Sequence, residues 1–310
     1  MCHTLWTPIR WGLRSNGTVG DRTASRTVRI GHRYGIEKGW GMADDASEAI
    51  GVDTSRPSVA RMYDYYLGGK DNFAVDRAAA QKMMATVPES VHMVASNRAF
   101  LVRAVRYLAA EAGIRQFLDI GSGLPTRQNV HEVAQTAAPG SRVVYADHDP
   151  LAVAHGQALL AIDRSTRYIR GDLREPERIL DDPEVPALID FDRPVAVLVV
   201  AILHFVGDHE DPTGILRRLR ERMAPGSYLV ISHILDDPRP HEIGRILNAA
   251  GAPSWYPRTR EQILPFFEGF ELIGPGLDLL PHWRPPGTAP AKPDSAQELR
   301  WQVAGIGRRS

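Results

Sequence analysis

The chain has 310 residues, enough for one large or two modest domains. Its 43% hydrophobic and 24% charged content is that of a globular protein with a sizeable core. Lys plus Arg and Asp plus Glu balance at 37 each, so no general electrostatic pull toward nucleic acid or an anionic membrane is expected. The single cysteine, Cys2, excludes an intrachain disulfide and a paired-cysteine metal knuckle, and it fits a cytoplasmic setting. The strongest apolar run, residues 195–203, is far short of the ~20 residues of a membrane-spanning helix. Residues 1–15 lack the apolar segment and cleavage site of a signal peptide.

Residues 1–52 read as a basic extension. Positions 1–41 hold seven Lys/Arg against two acids and show no periodicity, which predicts disorder. Met42 opens a more typical N-terminus, and a chain starting there is expected to fold and bind ligand as the full chain does.

Residues 53–113 read as a helical cap. Val59, Met62, Tyr63, Tyr66 and Leu67 form the apolar stripe of an amphipathic helix, with Pro57 at its start and Gly68-Gly69 at its end. A second helix is expected over about 71–86 and a third from Ser90 to Gly113. The join, Leu67-Gly-Gly-Lys-Asp-Asn-Phe73, reads as a helix end followed by a fresh helix start. That reading leaves Lys70, Asn72 and the tyrosines 63, 65 and 66 unexplained, so the cap is expected to act as a lid. Tyr63, Tyr66, Gly69, Lys70 and Asn72 are its candidate substrate contacts. Asn97-Arg98 on the third helix is a further possible polar contact.

Residues 114–310 alternate short β-rich runs with helical segments. Strands are expected at 116–120, 142–147, 168–170, 195–201 and 228–233. Helices are expected near 129–138, 149–162 and 213–223. Apolar runs such as 195–200 suit strands covered on both faces, so the architecture is α/β with a doubly wound, mostly parallel sheet. Thr259 with Gln262 forms a capping box, residues 284–297 are a proline-rich linker, and 301–306 close the chain as a strand.

In such sheets ligands bind beyond the carboxyl ends of the strands. The first strand ends in Asp119-Ile-Gly121-Ser122-Gly123, whose glycines allow a tight turn and close backbone approach. The third glycine of the dinucleotide fingerprint is replaced by Leu124-Pro125-Thr126, which disfavours a nicotinamide-dependent oxidoreductase. The second strand ends at Asp147, placed to accept from vicinal ribose hydroxyls. Asp149-Pro150 beyond it reads as a helix cap. Asp172 follows the third strand, where its carboxylate suits an adenine amino group, and Ala201 and His204 follow the fourth. His204 is the foremost general-base candidate, with His233 on the fifth strand second. None of the eleven histidines has HxH or HxxxH spacing, so no metal site is expected.

These segments, with 144–150, 171–174 and 225–231, resemble successive motifs of class I S-adenosylmethionine-dependent methyltransferases, with a Rossmann-like fold. The stretches 60–77, 119–126, 129–134 and 275–285 are more narrowly similar to the actinobacterial S-adenosyl methyltransferase family, first catalogued as a domain of unknown function. The resemblance covers about 57–307 and implies S-adenosylmethionine as cofactor, with a small-molecule acceptor as the leading expectation. It implies that Asp119, Gly121, Ser122 and Gly123 line the methionine end, Asp147 the ribose with His148 beside it, and Asp172 and Leu173 the adenine. Ala201 and His204 would border the sulfonium. A catalytically silent binding protein is the alternative from another class. No Asn/Asp-Pro-Pro-Tyr motif supports methylation of nucleobase amino groups, and oligomeric state is not legible.

Overall fold

The fold is taken from a computed structural model that describes residues 52–126, 128–160, 164–284 and 300–310. The expected disorder of the extension (all but Val52) and most of the proline-rich linker lie outside the described residues. The described residues belong to one compact unit.

Three helices open it: α1 (Val59–Tyr66), α2 (Ala74–Thr86) and α3 (Ser90–Ala110). Strands β1 (Gln116–Ile120), β2 (Arg142–Asp147), β3 (Thr166–Arg170), β4 (Ala196–Val200) and β5 (Tyr228–Ile234) follow. They alternate with α4 (Val130–Ala137), α5 (Pro150–Leu160), α6 (Pro176–Leu180), α7 (Glu184–Leu188) and α8 (Pro212–Arg222). Then come α9 (Pro238–Ala249), α10 (Arg260–Ile263), β6 (Phe270–Leu272), β7 (Asp278–Leu279) and β8 (Gln302–Arg309). Among the described residues the sheet runs β3-β2-β1-β4-β5-β8-β6, with β7 also on β8; β1–β5 are parallel and β8 is antiparallel.

The expected strands fall where the apolar runs put them, and β8 extends three residues past the expected end. The short α6 and α7 carry too few turns to stand out as a periodic pattern, and α9, capped at Asp237-Pro238, is a helix the sequence reading does not include. Thr259 and Gln262 exchange the capping-box hydrogen bonds, the helix giving way to a 3-10 turn over Leu264–Phe267.

Alternate residues of the central strands feed opposite faces. Phe117, Tyr145, Leu198 and Val230 pack with Phe100, Leu108 and Trp283. Leu118, Val144, Val197 and Ile231 pack with Ile179, Ile215 and Phe266. A third cluster seats the cap: Met62, Ala80 and Met83 of α1 and α2 meet Ile243, Ile246 and Leu247 of α9. No described helix is long and apolar enough to cross a membrane.

The cap is also tied down by polar groups. Arg61, buried, pairs with buried Asp76 at 2.8 Å and donates to the carbonyls of Asp53 and Arg56. Asp76 also accepts from the backbone N–H groups of Ser58 and Phe73. Such full satisfaction is what lets a buried ion pair persist. Ser58 Oγ reaches across to donate to Asp149 Oδ2 at 2.5 Å, so the start of α1 is latched to the start of α5.

Candidate functional site

Because β1 is flanked by β2 on one side and β4 on the other, successive crossovers leave in opposite directions and a crevice opens at the carboxyl ends of these strands. A cleft of about 630 Å³ lies there. Its lining includes Asp119, Gly121, Ser122, Gly123, Asp147, His148, Asp172, Leu173 and Ala201, which the structure brings together from four strand ends.

The glycine loop is held from two sides. Gly123 N–H donates to Asp147 Oδ2 at 2.7 Å. Ser122 Oγ donates to the Tyr168 hydroxyl, which donates in turn to Gly123 O at 2.6 Å. Gly121 sits at φ 72°, and a Cβ there would lie 2.8 Å from the Ile202 side chain. Glycine is therefore required by both backbone conformation and space. Tyr168 stacks on Tyr145, and Gly156 of α5 leaves the room it occupies, since a Cβ there would meet the ring at 2.0 Å. Sequence reasoning passed over Tyr168 because a tyrosine in the middle of a strand reads as core.

Of the carboxylates that line the cleft, Asp119 and Asp172 are shifted in opposite directions. Burial pushes the Asp119 carboxyl up to about 7, with the Arg98 guanidinium opposing and the Asp147 charge adding to it. Asp147, itself buried, accepts from the N–H groups of Gly123 and Asp149. His148 is exposed beside it, 3.5 Å from Asp147 Oδ1, and that contact raises its affinity for a proton. Burial works against ionisation of Asp172, yet its hydrogen bonds to the Arg174 backbone and guanidinium hold it below the usual carboxylate range. Asp149 caps α5 as expected, accepting from Leu151 N–H, and additionally holds the Ser58 latch.

A second, smaller chamber of about 60 Å³ adjoins the cleft. Val59, Tyr63, Asn97, Ala201 and Phe205 line both, so the two spaces share a seam at the end of β4. Ala201 holds φ 58°, a left-handed conformation that costs a non-glycine residue about 1–2 kcal/mol. A hydrogen-bonded chain supports it: Ala201 N–H donates to Ser232 Oγ, Ser232 donates to Asn97 Oδ1, and Asn97 Nδ2 donates to Tyr63 OH. Tyr63 completes the chain by donating to Val94 O.

His204 and Tyr66 line the chamber. The His204 side chain is 3% exposed and packs against the rings of Phe205 and Trp255, each 4.7 Å away between centroids. Burial keeps its imidazole neutral, far below its ordinary titration range, with His233 and Arg258 adding to the effect. Its Nδ1 is buried without a hydrogen-bond partner, a state that costs about 1–3 kcal/mol until a partner arrives. His233 belongs to neither lining. It is locked between Ile234 O at Nδ1 and the buried Arg258 guanidinium at Nε2, and burial pulls it down to about 3. Its ring nitrogens are thus occupied by structure.

The remaining lid candidates also stand outside both linings. Asp64 of α1 accepts from Asp71 N–H and Asn72 Nδ2, and a Cβ on Gly69 would sit 1.9 Å from its carboxylate. Gly69 and Asn72 therefore fold the α1–α2 turn around Asp64, while Lys70 is exposed. Arg61, Asp76 and Ser58, missed in sequence because their contacts form only once α1 packs against α2 and α5, anchor these helices instead.

Strand order, a glycine turn after β1 and carboxylates at the ends of β1, β2 and β3 define a class I S-adenosylmethionine-dependent methyltransferase. The chain belongs to the S-adenosyl methyltransferase family, whose sequence model matches residues 45–310. It is similar to the crystal structure of a putative methyltransferase from Thermobifida fusca YX, at 44% identity over 84% of this chain and 97% of that one, with TM-score 0.79. It is likewise similar to a DUF574 family protein from Streptomyces avermitilis MA-4680, at 40% identity over 83% and 99%, with TM-score 0.77. No curated protein matches the chain. S-adenosylmethionine is the cofactor, and the cleft fits it: carboxylates for hydroxyl and ammonium groups, and a glycine loop that a side chain at Gly121 would obstruct.

Proposed function

We propose that the chain methylates a small molecule seated in the apolar chamber, with the cofactor in the adjoining cleft. The observation that carries this reading is the shared seam: Tyr63, Asn97, Ala201 and Phe205 border both spaces, so an acceptor in one meets a methyl group presented from the other. Asp147 accepts from the ribose hydroxyls, with His148 at the edge of the adenosine. Leu173 and the Asp172 region border the adenine. Asp119 faces the methionine ammonium group, and Gly121, Ser122 and Gly123 let that end approach the backbone.

The cofactor, once bound, supplies an activated methyl group on sulfur. What the chain adds is alignment, which is worth up to ~7–11 kcal/mol when reacting atoms are held in attack geometry. Ala201 and its supporting Ser232 and Asn97 set that geometry, and α1 closes the site from water. The neutral net charge gives no basis for a nucleic-acid acceptor, and the single cysteine favours a cytoplasmic setting.

The test is calorimetric titration with S-adenosylmethionine, its demethylated product and NAD, followed by a screen of cell extracts for incorporation of labelled methyl. Binding of both sulfur compounds and label in low-mass products are expected. Binding of NAD alone overturns the assignment, and tight cofactor binding without turnover favours a silent binding protein.

A further inference from the structure

The chamber's composition narrows the acceptor, on the footing of the methyl-transfer reading above. Its lining combines the flexible side chains of Met62, Met83 and Met93 with the rings of Tyr66, His204 and Trp255. Among the described lining residues none is Asp, Glu, Lys or Arg. An ammonium acceptor would find no carboxylate there, and a carboxylate or phosphate no cation; either would be desolvated without compensation. Aromatic walls favour a flat partner through offset or edge contacts.

Tyr63 and Asn97 on the wall of this space spend their polar atoms on each other, Ser232 and Val94, but three other polar atoms are idle. His204 Nδ1, Gln302 Oε1 and Trp255 Nε1 are all buried without hydrogen-bond partners, and the His204 and Gln302 residues are each 3% exposed. Buried polar groups are ordinarily satisfied, so three idle ones around one chamber mark a place where a ligand's polar group belongs. The size sets a further limit. At about 60 Å³ the space is smaller than the ~150 Å³ apolar cavity that admits benzene. One ring therefore enters by displacing the thioether side chains, which repack readily.

We infer that the chamber takes an uncharged, single-ring hydroxyl compound of the phenol type, held by its hydroxyl against the His204 imidazole and methylated on that oxygen. The hydroxyl oxygen forms the new bond to the methyl carbon. The carbon–sulfur bond breaks with its electron pair left on sulfur, and the hydroxyl proton passes to His204 Nδ1 and on to solvent. One positive charge is present before the step, on the sulfonium in the cleft, and one after it, on the imidazole, until the proton leaves for solvent. In this role His204 is a catalytic residue, and Trp255 and Gln302 supply orientation.

The experiment uses the full chain. S-adenosylmethionine is titrated first; its failure to bind strikes the methyl-transfer reading itself. With the demethylated cofactor saturating, phenol, toluene, benzoate and benzylamine are then titrated at neutral pH. Phenol is expected to bind at least tenfold more tightly than benzoate or benzylamine and several-fold more tightly than toluene, and to yield anisole with the methyl donor. In His204→Phe the advantage of phenol over toluene disappears and anisole formation falls at least ~100-fold, while affinity for the demethylated cofactor stays within about twofold. Normal cofactor binding with benzoate or benzylamine equal to phenol, or with no anisole formed, overturns the acceptor class alone. The four-probe ranking on the unaltered chain decides the matter even if the variant does not fold.

Discussion

The cofactor cleft draws its polar groups from the ends of β1 to β3, which lie side by side by virtue of the sheet. The apolar chamber draws its lining from α1, α2, α3, α9 and the turn after β4, with Ile234, Trp255 and Gln302 besides, so that Val59 and Gln302 meet there from opposite ends of the described fold. In the cleft, charge is concentrated and satisfied locally, as when Asp147 accepts from Gly123 and Asp149. In the chamber, described lining side chains carry no formal charge and several polar atoms wait without partners. One space is built to recognise a polar ligand common to many proteins; the other is shaped by which helices happen to close over the sheet.

The sharpest way to break this division is at Asp147. Asp147→Ala removes the carboxylate proposed to accept from the ribose and also frees the glycine loop, so affinity for S-adenosylmethionine should fall at least ~100-fold, about 2.8 kcal/mol, by calorimetry. Retention within a few-fold would assign the ribose elsewhere.

A pH titration comes next in size. The Asp119 carboxyl, pushed up to about 7 by burial, is protonated in the ligand-free protein at acid pH. A cationic ammonium favours its ionised form, so affinity should rise as pH increases through 7 and approach a plateau above it, changing by up to tenfold per unit on the acid side. Asp119→Asn should flatten that profile. The same group makes the opposite contribution to stability. Its folded value exceeds the ordinary 3.8, so the ligand-free protein binds more protons folded than unfolded and should lose stability as pH rises from about 4 to 7.

Tyr168→Phe tests whether the loop clamp matters beyond packing. It keeps the stack on Tyr145 but loses the hydrogen bonds to Ser122 and Gly123, and cofactor affinity should weaken by roughly fivefold to tenfold at the ~1 kcal/mol typical of a net hydrogen bond. Ser232→Ala should have the smallest effect and the most selective one. Releasing the Ala201 N–H loosens the seam rather than the cleft, so kcat should drop a few-fold with cofactor Kd unchanged. A parallel loss of cofactor affinity would mean that the turn at Ala201, which lines both spaces, shapes the cofactor's end as well.

The sequence by itself determined the sheet and the cleft. Apolar strands of regular spacing pair in parallel because both faces must be covered, and the residues that follow each strand end up on one rim; Asp119, Asp147 and Asp172 were legible for that reason. Tertiary structure decided what each histidine and lid residue faces. His204 and His233 read alike in sequence, each at a strand end, yet Arg258, 25 residues beyond His233, occupies one of them and leaves the other against the chamber. Gly69 and Asn72 close around the Asp64 carboxylate, a contact that their spacing in the sequence does not announce. Periodicity reports which face of an element is buried, because burial follows local spacing. It carries no record of which distant side chain arrives to meet a given nitrogen or carboxylate, and that long-range encounter separates the groups committed to structure from those left for chemistry.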